Sequence, residues 1–248
     1  MGRERGASAH GNTVKGSEMK TIGLIGGMSW ESTAEYYRII NETVKEKLGG
    51  LHSAVCIVYS VDFEKIAALQ HKGEWRELTR VMTDCARKLE AAGADFIVIA
   101  TNTMHKMAEE VQGNINIPLL HIADATAEKI IQKGVKRPGL LGTKFTMEED
   151  FYKARLKQKY ALETIVPSDT DRKAIDEIIY NELCVGIIKQ ASKEKFQEII
   201  IRLVSDGVDG LILGCTEIPL LISQEDVEVP LFDTTMIHSR AAVDLALK

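Results

Sequence analysis

The sequence predicts an α/β protein of two pseudo-symmetric lobes, each a parallel-type sheet flanked by helices, with a functional site in the cleft between them. Three observations predict it. The first is a segment used twice. Gly93-Ala94-Asp95-Phe96-Ile97-Val98-Ile99-Ala100-Thr101-Asn102-Thr103 aligns without a gap against Gly207-Val208-Asp209-Gly210-Leu211-Ile212-Leu213-Gly214-Cys215-Thr216-Glu217. In both copies a Gly and an Asp lead into a short apolar run, which ends in a small residue followed by a compact Thr or Cys. That is the pattern of a buried strand whose carboxyl end presents chemistry. The second is an echo upstream: Gly23-Leu24-Ile25-Gly26 precedes Thr101 at nearly the distance by which Gly139-Leu140-Leu141-Gly142 precedes Cys215. The third is the alternation, from Lys20 onward, of short β-branched runs with longer amphipathic stretches, the rhythm of a parallel sheet covered by helices. Facing each other about a pseudo-two-fold axis, the halves put Thr101 and Cys215 on opposite sides of one cleft.

Taken in order, residues 21–26 read as the first strand, 30–47 as an amphipathic helix and 54–61 as the second strand. A long helical region at 74–92 leads to a third strand at 96–100 and a helix at 104–111. Residues 117–122 are expected to open the other half, with strands at 138–141, 163–166 and 210–213 and helices at 126–132, 147–159, 172–183 and 193–205. A last strand at 230–232 and a helix from 237 are expected to return to the first lobe. One lobe is thus expected to hold residues 19–116 with 226–248, and the other 117–225. Residues 1–18, rich in Gly, Ser, Arg and His, lack the apolar stretch of a secretory signal. They read as a disordered or vector-derived extension ahead of a native start at Met19.

A chain of 248 residues with 45% hydrophobic and 27% charged residues has the balance of a soluble globular protein, and no apolar run is long enough to span a bilayer. Its formal charge of −5 argues against broad nucleic-acid binding, which needs a concentrated basic face. Small molecules are the expected partners. Cys56, Cys85, Cys184 and Cys215 are scattered, with no Cys-x-x-Cys pair or flanking histidines at zinc spacing, so neither a metal site nor a disulfide framework is indicated. A reducing, cytoplasmic setting follows.

In open α/β sheets ligands bind beyond the carboxyl ends of strands, where helix N-termini present unpaired N–H groups to anions. Thr101-Asn102-Thr103 and Cys215-Thr216-Glu217 occupy that position. Their backbone amides with the short hydroxyl and amide side chains are suited to hold a carboxylate from both sides; the plainer alternative is that Asn102, Thr103 and Thr216 cap helices. The matched pair of segments favours a site. A free cysteine usually packs as a small hydrophobe, the reading given to Cys56, Cys85 and Cys184. Cys215, at a strand end facing an expected helix N-terminus, is expected to have a lowered pKa and thiolate character. The loop at 26–33 lacks the spacing of a dinucleotide or P-loop motif, so no nucleotide cofactor is expected. Its glycines suit close approach of a small ligand, with Met28 and Trp30 as walls, or simply a tight turn. His105 and Lys106 read as residues of the site margin.

These residues resemble a family. Leu211-Ile-Leu-Gly-Cys-Thr-Glu-Ile-Pro-Leu-Leu221 is similar, position by position, to the second signature of the cofactor-independent aspartate/glutamate racemases. Ile99-Ala-Thr-Asn-Thr-Met-His105 is similar to the first, except that Thr101 stands where most members carry a second cysteine. With Gly-Gly-Met-Ser-Trp-Glu-Ser-Thr, Ser60-Val-Asp-Phe63 and His121-Ile-Ala-Asp-Ala125, the chain resembles the bacterial L-aspartate/glutamate-specific branch, in which threonine is usual at that position.

The resemblance implies racemisation without a cofactor and a homodimer. It implies Cys215 as the base toward the L-substrate and Thr101 as donor or proton relay on the opposite face. Asn102, Thr103, Thr216 and backbone N–H groups would stabilise the carbanion, with Met28 (through its backbone), Gln70 and Glu217 as further substrate contacts. Some aspartate racemases place a lysine where this chain has Cys184, so what holds a distal carboxylate is open. A malonate-type decarboxylase or maleate-type isomerase of the same superfamily also needs one thiol and an anion cradle. A catalytically silent amino-acid-binding protein, in which Thr101 replaces a lost thiol, is the third alternative. Glu217 and the Thr-Asn-Thr triplet favour the racemase.

Overall fold

Strand β1 (Ile22–Gly26) is buried along its whole length, as a run covered by helices on both faces must be. It pairs in parallel with β2 (Cys56–Ser60) on one side and β3 (Phe96–Ile99) on the other. Strand β4 (Leu119–Leu120) adds to β3, giving the order β2-β1-β3-β4. A second parallel sheet, β5-β6-β7, is built from Pro138–Gly142, Gly210–Gly214 and Leu231–Asp233. This computed structural model describes residues 19–248, and the expected N-terminal extension lies outside the described residues. In β1–β3 the register sets Ile25 beside Ile99, and in β5–β6 it sets Gly142 beside Gly214. The segments that follow, Thr101 onward, Thr143 onward and Cys215 onward, therefore leave their sheets at the same carboxyl edges.

Two strands join the other sheet from the one expected. Residues 119–120, expected to open the second half, pair with β3, and the last strand pairs with β6 instead of returning to the first sheet. Each lies beside its predecessor in sequence, the usual arrangement of consecutive strands. The strand expected at 163–166 is a single bridge, Ile165 against Gly139.

Around the sheets lie α1 (Trp30–Leu48), α2 (Phe63–Lys72), α3 (Trp75–Ala91), α4 (Ala108–Gln112) and α5 (Ile122–Gln132). Helices α6 (Lys144–Glu148), α7 (Asp150–Tyr160), α8 (Asp169–Asn181), α9 (Gln190–Ser205) and α10 (Thr234–Ala246) complete them. Helix α2 is not among the elements the sequence pattern predicts. It follows Asp62, buries Ile66 and Gln70 one turn apart, and stops at Gly73, whose φ of 71° is left-handed. The helix expected at 147–159 is two, because Glu149 is extended. Helix α10 does return to the first lobe: Ala242, Val243 and Ala246 share a core with Ile22, Leu24, Tyr36, Ile40, Phe96 and Val98. It begins at β7 of the other sheet, so it fastens the two lobes together.

Beneath the cleft three histidines form a buried cluster, His105 lying 4.6 Å from His121 and 5.6 Å from His238 between ring centroids. The His105 Nδ1–H donates to the Thr101 carbonyl at 2.8 Å, because Nε2 is occupied in accepting the Ile122 N–H. His238 donates from Nε2 to the Leu120 carbonyl and accepts the Tyr36 hydroxyl at Nδ1, both at 2.9 Å. Burial first, and mutual proximity second, hold His105 well below its ordinary pKa; burial pushes His121 down to about 2 and His238 to about 4.

The unfolded chain takes up protons on these rings near pH 6.5 and the folded one does not, so their contribution is complete above that pH and is lost as pH falls below it. We expect unfolding free energy from urea titration to fall between pH 6.5 and 5 by about 1.4 kcal/mol per pH unit per histidine, and His238→Gln to flatten that slope by about a third. A wild-type curve flat over this window contradicts a neutral cluster.

Candidate active site

All eight residues expected at the site line one cleft of about 500 Å³, open solvent included. Strand β3 delivers Thr101, Asn102 and Thr103; β6 delivers Cys215, Thr216 and Glu217; the turn after β1 brings Met28, and α2 brings Gln70. The turn after β1 passes so close to β2 that a Cβ on Gly27 would run into the Val61 backbone, and its φ of +88° also requires glycine.

The cleft differs from expectation first at the strand ends. No long helix follows either. Residues Thr103–Met107 form a 3₁₀ turn before the short α4, and Ile218–Leu220, containing Pro219, form another after Cys215. The helix expected at 104–111 is thus half a 3₁₀ turn and half the short α4, and no extended macrodipole faces Cys215. The thiol is not lowered in pKa. Burial, the neighbouring Glu217 carboxylate and Cys184 raise it well above the ordinary range, so it rests as a neutral S–H.

That S–H donates to Glu217 Oε2 at 2.8 Å. The carboxylate, 9% exposed, also accepts the Thr216 hydroxyl at 2.7 Å, the Ser32 hydroxyl at 3.0 Å and the Ser29 hydroxyl at 3.3 Å. Ser29 caps α1 and Ser32 lies on its first turn, so donors of one lobe grip the carboxylate of the other. Glu217 is therefore aimed at the thiol as well as lining the cleft.

Asn102 also departs from expectation. Its Nδ2 donates to Thr234 Oγ1 at 3.0 Å, and Thr234 in turn donates to the Leu213 carbonyl at 2.8 Å. Because that hydroxyl proton is committed, the Asn102 group facing Thr234 must be the NH₂. Its Oδ1 is buried without a partner among the described residues. The free atom of Asn102 is an acceptor, suited to an ammonium, whereas sequence alone suggested a donor to a carboxylate. Hydroxyl donors are supplied by Thr103, whose Oγ1 lies 3.4 Å from Thr143 and 3.5 Å from Thr146 across the lobes.

Sequence reasoning missed Ser29, Phe63, Thr143, Ile179, Tyr180 and Cys184, all of which line the cleft. Thr143 had a signal in the Gly139–Gly142 echo of Gly23–Gly26; it follows its strand two residues sooner than Ser29 does, and Thr143-x-x-Thr146 caps a helix as Ser29-x-x-Ser32 does. Cys184, read as core, is half-buried on the cleft wall, and burial pushes its thiol up to about 12. His105 and Lys106 stand outside the lining. Among the described residues no helix is long and apolar enough to cross a membrane.

Two parallel sheets whose carboxyl edges open on a cleft with a thiol, a hydroxyl partner and short polar donors define an enzyme site for a small polar molecule. The profile of the Asp/Glu/Hydantoin racemases matches residues 25–242, and the chain belongs to this family. It is an amino-acid racemase, an isomerase.

The broad specificity amino-acid racemase RacX of Bacillus subtilis is 25% identical over 236 residues, spanning 91% of this chain and 98% of that protein. The glutamate racemase of Aquifex pyrophilus is 27% identical over 209 residues, 83% of this chain and 77% of that one. Among solved structures, one from Yersinia pestis provisionally described as an Asp/Glu racemase superposes with a TM-score of 0.88 at 54% identity, covering 93% of this chain and all of that one. An aspartate racemase homologue from Pyrococcus horikoshii gives a TM-score of 0.82 at 40% identity, with the same coverage.

Proposed function

We propose that this chain racemises α-amino acids without a cofactor, removing the α-proton on one face of Cα and returning a proton on the other. Aspartate and glutamate are the substrates to which the family's name and the glutamate racemase relative point, and the broad-specificity relative points to a wider range. The observation that carries this reading is the Cys215 thiol, 2.8 Å from a buried carboxylate, in the same cleft as Thr101. Cys215 is the base toward the L-substrate, and Glu217 takes up the thiol proton as the α-proton leaves carbon, since a buried thiol needs an acceptor within hydrogen-bond reach. Thr101 delivers the opposite proton and is refilled from solvent; Glu217 returns its proton to solvent to close the cycle.

Asn102 Oδ1 receives the substrate ammonium, while Thr103, Thr143 and the Met28 backbone hold the carboxylate on which carbanion charge develops, and Thr216, its hydroxyl proton given to Glu217, orients the Glu217 carboxylate. Gln70 contacts the side chain. The reading carries with it a cytoplasmic location, from the scattered free cysteines, and a homodimer, from the family resemblance.

The test is optical. Circular dichroism of either pure enantiomer incubated with the protein is expected to decay to zero, with equal kcat/KM in both directions because enantiomers have equal free energies. A hydroxyl is a poor acid and base, so Thr101→Cys is expected to raise kcat/KM for both enantiomers together, by about tenfold, with the larger gain in saturated rate on the D-substrate. No gain in a folded, ligand-binding variant removes Thr101 from the weak half of the pair.

A further inference from the structure

Among the described residues lining the cleft there is no lysine, arginine or histidine, and there is one carboxylate, Glu217. Lys106, on the turn that begins at Thr103, is engaged outside the lining: its Nζ pairs with Glu149 at 2.5 Å and lies 3.6 Å from the centroid of the Trp75 ring. The rest of the lining is neutral. Asn102, Thr103, Thr143 and Thr216 are short and polar; Met28, Phe63, Ile179, Tyr180 and Cys184 are largely apolar; Gln70 supplies one amide. That amide is loosely held, its Nε2 lying 3.2 Å from the weak acceptor Met104 Sδ.

An α-amino acid brings a carboxylate and an ammonium that cancel, and neutral donors with one free acceptor satisfy both. A second carboxylate on the side chain has no such compensation. It meets no cation, shares a poorly screened space with Glu217, and gives up water in exchange for uncharged groups alone. An uncharged amide or hydroxyl of the same size loses far less on entry and finds in Gln70 a group that both donates and accepts. We infer that the cleft selects amino acids with uncharged side chains over the dicarboxylates aspartate and glutamate. This rests on the proton-transfer reading given above.

The isosteric pairs glutamine and glutamate, and asparagine and aspartate, isolate charge from size. With the full chain in D₂O, exchange of the α-proton followed by proton NMR is expected to show kcat/KM higher for each L-amide than for its L-carboxylate by about tenfold or more, a factor equivalent to about 1.4 kcal/mol. Cys184→Lys, which adds a cation to the wall, is expected to move the glutamate-to-glutamine ratio toward glutamate by about tenfold, while Cys184→Met leaves it in place. Equal or faster exchange of the carboxylates by the wild-type chain overturns the inference while leaving the racemase reading intact, and so does a lysine variant that binds substrate with an unmoved ratio. Absence of exchange with all four amino acids removes the proton-transfer reading, and the inference with it.

Discussion

Cys215→Ser is expected to lower racemisation of every accepted substrate by roughly 10³-fold or more, because it exchanges the one thiol paired with a proton acceptor for a hydroxyl that ionises far less readily. The fold should survive. Serine is smaller by a fraction of an atom's radius, and its hydroxyl donates to Glu217 as the thiol does, so the carboxylate keeps all four donors. Unchanged thermal unfolding with activity lost is the expected pair of results. Full activity in the serine variant places the base elsewhere in the cleft.

Glu217→Gln has the next largest expected effect, and two opposing terms decide its sign. Removing the negative charge eases ionisation of Cys215, which favours the thiolate. It also removes the group that accepts the thiol proton. Burial is the larger cause of the raised thiol pKa and is untouched by the substitution, so the thiol stays protonated at neutral pH and now lacks an acceptor. Loss therefore wins: kcat is expected to fall by about 10²-fold at pH 7, within the range of a lost general base, and to recover as pH rises toward the thiol pKa. Serine hydroxyls from α1 still reach the amide oxygen, so KM is expected to change less than kcat. A variant with wild-type kcat and pH profile contradicts the pairing of Cys215 with Glu217.

Much of the site was legible because it lies at the ends of strands that announce themselves locally. The apolar runs at Phe96–Ile99 and Gly210–Gly214 needed no partner to be recognised, and their repetition brought Thr101 and Cys215 to one cleft. Sheet membership was less legible. Nothing in Leu119–Leu120 or Leu231–Asp233 states which edge it will join, since that depends on crossovers through intervening helices.

The electrostatics of Cys215 differ from the sequence-based expectation for a related reason. A strand end followed by polar residues resembles a helix start in sequence, whereas Pro219 and a 3₁₀ turn follow it here, and the side chain of Glu217 folds back two residues onto the thiol. The direction of a side chain has no local signature. Likewise Tyr180 and Cys184 reach the cleft only because α8 and the turn after it close over it, a tertiary fact that their helical spacing does not express.

Removal of the α-proton within this cleft is the step on which every role assigned above depends, and the loss of that proton to solvent reports it whatever the rate of the second half-reaction. In D₂O, an L-amino acid incubated with the wild-type chain is expected to lose its α-proton NMR signal while the other signals persist, and optical activity is expected to decline as the D-enantiomer accumulates. An α-proton signal that stays at full intensity over a panel of acidic and uncharged amino acids, with protein shown to be folded and to bind them, contradicts the account.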